Sequence, residues 1–211
     1  MGKDPERSVI QRRFSVAVLA GGQSKRMGRD KALLPLNDRP LIAHVVDACG
    51  SCSDDVFIVT KRPRQLQSLR FRVVVDDSDE QTPLSGIVSA LRAAARPYVF
   101  ICACDMPFVS TTLIRMLADR AQGFDAAVPR RNGRAEPSHG VWAADASDLV
   151  AAALQAGERA VYRVLETMRV AWVDEDEWRA VDPDGRSFVN VNTPEDLASA
   201  IETAGRAGAL S

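Results

Sequence analysis

The residues able to do chemistry in this 211-residue chain fall at two main places. The first is Gly21-Gly22, followed closely by Lys25, Arg26, Arg29 and Lys31. Neither glycine carries a Cβ, so the backbone there can turn sharply and come close to a ligand. Successive amides in such a turn point the same way and form a nest for anions. The basic side chains add charge, and the combination suits the phosphates of a nucleotide. The second place is Asp105, in Cys104-Asp105-Met106-Pro107. A hard cation such as Mg²⁺ takes one or two carboxylates and fills its shell with waters and substrate phosphates. Asp105 suits that role when the glycine turn holds phosphates nearby; otherwise it caps a turn or the next helix. Asp76-Asp77 is a further acidic point, where one carboxylate contacts ribose or aids the metal, or both form a solvated turn.

Two familiar phosphate loops are excluded. A P-loop needs Lys-Ser/Thr after its last glycine, whereas Gly28 is followed by Arg29. A dinucleotide fingerprint needs Gly-x-Gly-x-x-Gly, which Gly21-Gly22 does not begin. Other polar residues carry weaker signals. His139 in Glu136-Pro-Ser-His139 could act as a base, but no nucleophile stands beside it, and a packing role is the alternative. Arg130, Arg131 and Arg134 could bind an acidic acceptor or simply be solvated. His44 reads as a packing or surface group. Cys49-Gly-Ser-Cys52 has redox or zinc spacing, but Cys102-Ala-Cys104 in a strand is a poor zinc partner. Free thiols in a reducing compartment are the expectation.

The elements that must position these residues alternate. Ser15–Ala20, Asp55–Val59, Phe71–Val75 and Tyr98–Cys104 read as strands. Pro40–Cys49 and Pro83–Ala95 read as helices, with apolar residues on one face. Pro35 makes Lys31–Leu36 an extended piece, and Asn37-Asp38-Arg39 a turn. Alternation of this kind predicts βαβ units and a doubly wound, mostly parallel sheet. Ligands of such sheets sit beyond the carboxyl ends of the strands, where Gly21-Gly22, Thr60, Asp77 and Asp105 all fall. The second half is more mixed. Ser110 caps a helix to about Ala121; Asp125–Arg130, Gly140–Ala143 and Val170–Val173 are strands. Ala144–Gln155 and Ala160–Met168 are helices parted by Gly157, and Arg130–Ser138 is a charged loop. Asp174–Gly185 is an acidic loop, and Phe188–Asn192 is extended. Thr193, Pro194 and Asp196 open a last helix as N-cap, N1 and N3.

Length suits a single domain, expected over residues 14–203, with a nucleotide half at about 14–109 and an acceptor half at about 110–203. Residues 1–13 and 204–211 are expected to be a loose and a frayed tail. The 27 basic and 28 acidic residues give a net charge of −1. That leaves no global positive field for a nucleic-acid partner, and phosphate recognition must be local. No apolar run reaches membrane-span length, and the polar N-terminus lacks a signal-peptide core. A cytoplasmic protein with no membrane partner is expected.

Leu19, Gly21, Gly22, Arg26, Met27, Gly28 and Lys31 together match Leu-x-Gly-Gly-x-x-x-Arg-Met-Gly-x-x-Lys. This resembles the signature of nucleotidyltransferases that use an NTP and release pyrophosphate. Cys104-Asp-Met-Pro107 and Phe188-Val-Asn-Val-Asn-Thr-Pro-Glu-Asp-Leu197 narrow the likeness to the MobA family of molybdenum cofactor guanylyltransferases, and Asp77-Ser78 and Pro83-Leu-Ser-Gly86 also fall in place. The resemblance implies a Rossmann-like, nucleotide-diphospho-sugar-transferase-like α/β fold. It further implies transfer of GMP from GTP to molybdopterin (Mo-MPT) with Mg²⁺, and molybdoenzymes or cofactor-delivery proteins as further partners. By the same resemblance Leu19, Ala20, Gly21, Gly22, Lys31, Asp77 and Asp105 bind GTP, Asp105 holds Mg²⁺, and Asn190 and Asn192 lie on the pterin side. Arg26 and Lys31 would clamp the triphosphate, with Asp105 completing the catalytic set. Some members carry Asn at the position of Val59, which cannot make that hydrogen bond. Three rivals stay open: a related enzyme using CTP or a sugar-phosphate acceptor, a non-catalytic GTP-binding protein, and a redox protein built on Cys49 and Cys52.

Overall fold

The structure is a computed structural model that describes residues 14–21 and 31–208, the side chains of 204–208 excepted. Gly22, Lys25, Arg26, Met27, Gly28 and Arg29 lie outside the described residues, as do the expected tail at 1–13 and the last three residues, 209–211, of the expected tail at 204–211.

Ten strands are described. They are β1 (Ser15–Leu19), β2 (Pro35–Leu36), β3 (Arg39–Pro40), β4 (Val56–Thr60), β5 (Arg72–Val75), β6 (Tyr98–Ala103), β7 (Ala126–Arg131), β8 (Arg134–Ala135), β9 (His139–Ala143) and β10 (Val170–Val173). Seven strands form the main path of the large sheet in the order β10-β7-β9-β6-β1-β4-β5, with β8 paired to β7. Neighbours β5-β4-β1-β6 are parallel, and β9 runs antiparallel to both β6 and β7. This is the expected mostly parallel, doubly wound sheet. From β1 the chain goes out to β4 and β5, then returns to β6 on the other side of β1. The reversal leaves a crevice at the carboxyl ends of β1 and β6, the usual place for a ligand in such sheets.

The strands are near-continuous apolar runs because both faces are covered. Val16, Val18, Ile58, Phe100 and Cys102 face one layer, packed against α1 (Leu41–Gly50) and α3 (Thr111–Arg120). Ala17, Phe57, Val59, Val99 and Ile101 face the other, against α2 (Pro83–Ala93), α4 (Ser147–Gln155) and α5 (Val161–Leu165). Alternation along each strand sorts the residues between these layers. Trp142 on β9 is fully buried, and its Nε1 donates to the Pro137 carbonyl at 3.3 Å. Truncating it to alanine should cost roughly 3–5 kcal/mol, the range for large buried aromatics.

Local chemistry explains where the observed elements depart from the sequence pattern. Lys31–Leu33 is a 3₁₀ turn rather than an extended piece. Pro35–Leu36 then pairs with Arg39–Pro40 around Asn37, whose φ of 55° suits asparagine. The loop at Arg130–Ser138 contains a hairpin: Asn132 and Gly133, at φ 51° and 72°, join β7 to β8. Asn-Gly is the preferred pair for such a turn. Within the expected acidic loop lies α6 (Glu175–Arg179), opened by a capping box between Asp174 and Glu177. Residues Arg186–Phe188 make a 3₁₀ turn, so Phe188–Asn192 is a connecting segment and not a strand. The last helix, α7 (Pro194–Gly208), runs past Thr203.

Candidate active site

The site is assembled where four parallel strands end. Ala20 leaves β1 with its amide bonded to the Val59 carbonyl at 2.8 Å. Leu19 is the register partner of Ala103, and the Cys104 amide donates to the Leu19 carbonyl at 3.0 Å. Gly21 and Asp105 therefore leave adjacent strands just past their last pairing. Lys31 comes from the start of the 3₁₀ turn Lys31–Leu33. Its Nζ stands 3.5 Å from Asp105 Oδ2 and donates to Asn192 Oδ1 at 2.5 Å. Lys31, Asp105 and Asn192 are thus brought together from three well-separated stretches of chain. The third stretch is tied down as well: the Val191 amide donates to the Asp105 carbonyl at 2.8 Å.

Asp105 Oδ1 is buried and makes no hydrogen bond. A buried acceptor left without a partner costs free energy, and a cation satisfies it. No group of three or more His, Cys, Asp or Glu among the described residues could hold a metal by itself. One orphaned carboxylate oxygen beside a lysine ammonium is what a hard divalent ion completed by phosphate oxygens and waters would require. Asp105 is the described residue that fits this ion.

Beside this point lies a cavity of about 630 Å³, within the size range of small-molecule sites. Leu19, Val59, Pro83, Gly86 and Ala103 give it apolar walls, while Thr60, Lys61, Asp76, Gln81, Thr82 and Ser138 add polar groups. Gly21 is also on its lining, so the cavity opens beside the carboxyl end of β1. The N-terminus of α2 abuts it. Thr82 is the N-cap, its hydroxyl accepting from the Leu84 amide at 3.4 Å and donating to the Arg159 carbonyl at 2.9 Å. Asp76 is buried here and firmly held. Lys61 Nζ lies 3.0 Å from Asp76 Oδ2, Ser85 Oγ donates to the same oxygen at 2.8 Å, and the Ser78 amide donates to Oδ1 at 3.2 Å. Lys61 Nζ also donates to the Ser78 carbonyl.

Of the acidic pair it is therefore Asp76 that lines the cavity, while Asp77 is exposed and not part of the lining. Sequence reasoning missed Lys61 altogether. The usable signal was position, since Lys61 directly follows a strand whose carboxyl end meets the site. Val59 is buried in the cavity wall, and the adjacent polar group is the Thr60 hydroxyl, which accepts from the Arg62 amide at 3.1 Å.

The other candidates stand apart. His139 is fully buried on the α1/α3 face, edge-on to Phe100 and Phe188 at 5.0 and 5.2 Å, with neither ring nitrogen bonded. Burial lowers its pKa to about 4; it is a neutral packing group. His44 Nε2 bonds the Leu36 carbonyl at 2.9 Å and ties α1 to β2. Arg130 stacks on Trp172 at 4.1 Å, and Arg131 Nε pairs with Glu136 at 3.1 Å. All four cysteines are free and buried. A hydrogen bond with Cys49, and then burial, raise the Cys102 thiol well above its ordinary value, the reverse of what a reactive redox thiol needs. Asn190 Nδ2 donates only to the nearby Phe188 carbonyl, at 3.4 Å.

Comparison with known proteins gives the family. Residues 16–171 match the MobA-like NTP transferase domain. The chain belongs to the MobA-like NTP transferase family. A molybdenum cofactor guanylyltransferase from Syntrophotalea carbinolica is 32% identical over 185 residues, covering 87% of this chain and 88% of its own. Another, from Desulfosudis oleivorans, is 34% identical over 196 residues, covering 92% and 96%. Among solved structures, molybdopterin-guanine dinucleotide biosynthesis protein A from Archaeoglobus fulgidus is 28% identical, with a TM-score of 0.80 over 92% of this chain and all of that one. A 2-C-methyl-D-erythritol 4-phosphate cytidylyltransferase from Thermus thermophilus, 21% identical with a TM-score of 0.69, shares the fold. As a member of the MobA-like family, the chain is a nucleotidyltransferase with a mostly parallel Rossmann-like sheet in one domain. No helix among the described residues is long and apolar enough to cross a membrane.

Proposed function

We propose that this enzyme transfers GMP from GTP to molybdenum-loaded molybdopterin, with Mg²⁺, and releases pyrophosphate. The observation that carries the reading is the meeting of Lys31 Nζ and Asp105 Oδ2, 3.5 Å apart, at the sheet's switch point beside the β1 turn. Relatives of similar length that bear the guanylyltransferase name support the choice of substrates.

In this reading the base and ribose enter the 630 Å³ cavity between β4, β5 and the start of α2. The triphosphate passes Gly21 toward Lys31, and Arg26 of the same basic loop is assigned to it as well. A terminal phosphate oxygen of the acceptor attacks the α-phosphorus in line, and pyrophosphate leaves. That nucleophile is already ionised, so the site needs no strong base; this fits a His139 that is buried and neutral. Such transfer is governed by positioning and charge neutralisation. Lys31 bears on the leaving phosphates. Asp105 would hold Mg²⁺, whose positive charge would offset the negative charge that builds on the transferring phosphates. The bond from the Val191 amide to the Asp105 carbonyl supports an acceptor side close to the segment before α7.

Pyrophosphate release measured with GTP and with CTP, each with Mo-loaded molybdopterin and Mg²⁺, tests the proposal. Release with GTP is expected. Preference for CTP would favour a cytidylyltransferase, and GTP binding without release from any acceptor would favour a non-catalytic binder.

A further inference from the structure

The resemblance puts Asn192 on the acceptor side, but its side chain is engaged elsewhere. Its Oδ1 accepts from Lys31 Nζ at 2.5 Å, across 161 positions of sequence. Its own backbone is fixed: the Asp196 carboxylate accepts from the Asn192 and Thr193 amides, each at 2.9 Å, and the Asp196 amide donates to Thr193 Oγ1 at 3.1 Å. One residue earlier, the Val191 amide is bonded to the Asp105 carbonyl at 2.8 Å, and the Val191 side chain is fully buried. Asn192 Oδ1 is therefore a preset acceptor, anchored by the start of α7 on one side and by Asp105 on the other. A lysine side chain is long and loses much rotamer freedom when held. The Asn192 bond and the 3.5 Å approach to Asp105 Oδ2 both bear on where its ammonium stands.

We infer that Asn192 is a positioning residue for Lys31, holding the ammonium where the leaving phosphates will lie, and not a group that reads the acceptor. This deepens the nucleotidyltransferase reading and rests on it. The bond makes preplacement of the cation part of the resting enzyme, so the nucleotide does not have to order Lys31 on arrival. Asparagine is suited to this because its amide oxygen orients the ammonium without adding negative charge beside a triphosphate. A carboxylate in its place would hold Lys31 harder and repel the substrate.

A double-mutant cycle on the full-length enzyme decides the matter, using Asn192→Ala, Lys31→Met and the pair, with inorganic pyrophosphate affinity and the separate KM values for NTP and acceptor as readouts. Residues acting through one another give non-additive effects. Asn192→Ala is expected to weaken pyrophosphate binding and raise KM for the NTP by roughly tenfold, within the coupling range of contacting residues. In the Lys31→Met background it should change neither further, and KM for the acceptor should stay within about twofold in both backgrounds, as for an uncoupled site. Asn192→Ser, too short to reach the ammonium, repeats the cycle should the alanine variant fold poorly. Additive losses, or a rise confined to acceptor KM, would overturn the inference. Failure of the unsubstituted enzyme to bind GTP would instead overturn the guanylyl reading, and the pyrophosphate cycle would still decide the role of Asn192.

Discussion

Asp105→Asn changes one charge and almost no volume, and its consequences for stability and for turnover separate cleanly. The carboxylate lies 3.5 Å from the Lys31 ammonium, and the two side chains are 18% and 24% exposed. At an effective dielectric of ~20 the Coulomb attraction at that separation is roughly 5 kcal/mol. Screening and the desolvation of both ions reduce what such a partly exposed pair contributes to about 1 kcal/mol. The melting temperature should therefore fall by only about 2–4 °C, the shift that 1 kcal/mol gives in a domain of this size. Turnover responds on another scale. With this carboxylate holding the Mg²⁺ that offsets the charge developing on the phosphates, its loss should cost about 3–4 kcal/mol, or 10²–10³-fold in kcat, as removal of one oxyanion-hole donor does. The assay is pyrophosphate release from GTP with loaded molybdopterin over a Mg²⁺ titration, beside a thermal melt. D105N that turns over within a few-fold of the parent at saturating Mg²⁺ would refute the reasoning, and so would parent activity that survives EDTA.

Three further outcomes follow from the same geometry. Lys61→Met leaves the buried Asp76 carboxylate without its cation; chemical denaturation should show a loss of about 2–3 kcal/mol, below the full figure for a broken buried pair because Lys61 is partly exposed, and KM for GTP should rise while pyrophosphate inhibition stays unchanged. His139 titrates near 4 in the fold against an ordinary 6.5, so the unfolded chain takes up this proton first; stability present above pH 6.5 should drop by up to about 3 kcal/mol as the pH falls toward 4, and urea melts of His139→Leu should lose that part of the slope. The four buried thiols should react with a thiol reagent only as the chain unfolds, and Cys49→Ser should leave nucleotidyl transfer intact; rapid labelling of the native protein would contradict this.

The central strands of the sheet and the helix after β6 were legible because they carry strong local signals. Strands β1, β4 and β6 are uninterrupted apolar runs, and Ser110 caps the helix it was expected to cap, donated to by the Leu113 amide at 3.3 Å. Shorter elements were less visible. The five residues of α6 do not span enough turns to show a helical period, although Asp174 and Glu177 spell its capping box. The hairpin at Asn132-Gly133 was signalled by the dipeptide and obscured by the surrounding arginines. At the site, Asp105 and Lys31 were found because a motif and a strand end coincide, and the structure brings them together. Lys61 escaped, and which of Asp76 and Asp77 serves the site stayed open, because nothing local marks the pairing: it arises from the parallel register of β4 and β5, in which Thr60 lies opposite Val75. The bond from Lys31 to Asn192 depends on tertiary contact across nearly the whole chain, which no spacing rule reveals.

The central claim is that one rim of the sheet holds the triphosphate, the lysine and the metal carboxylate together. A crystal structure with GTP and Mn²⁺, read by the anomalous signal of the metal, tests it most directly. The expected result is a metal peak about 2.0–2.3 Å from an Asp105 oxygen, as hard cations are bound, with the triphosphate running from the Gly21 turn to Lys31 and the base in the cavity beside Lys61. A metal peak away from Asp105, or a triphosphate lodged where Lys31 cannot reach it, would contradict the account.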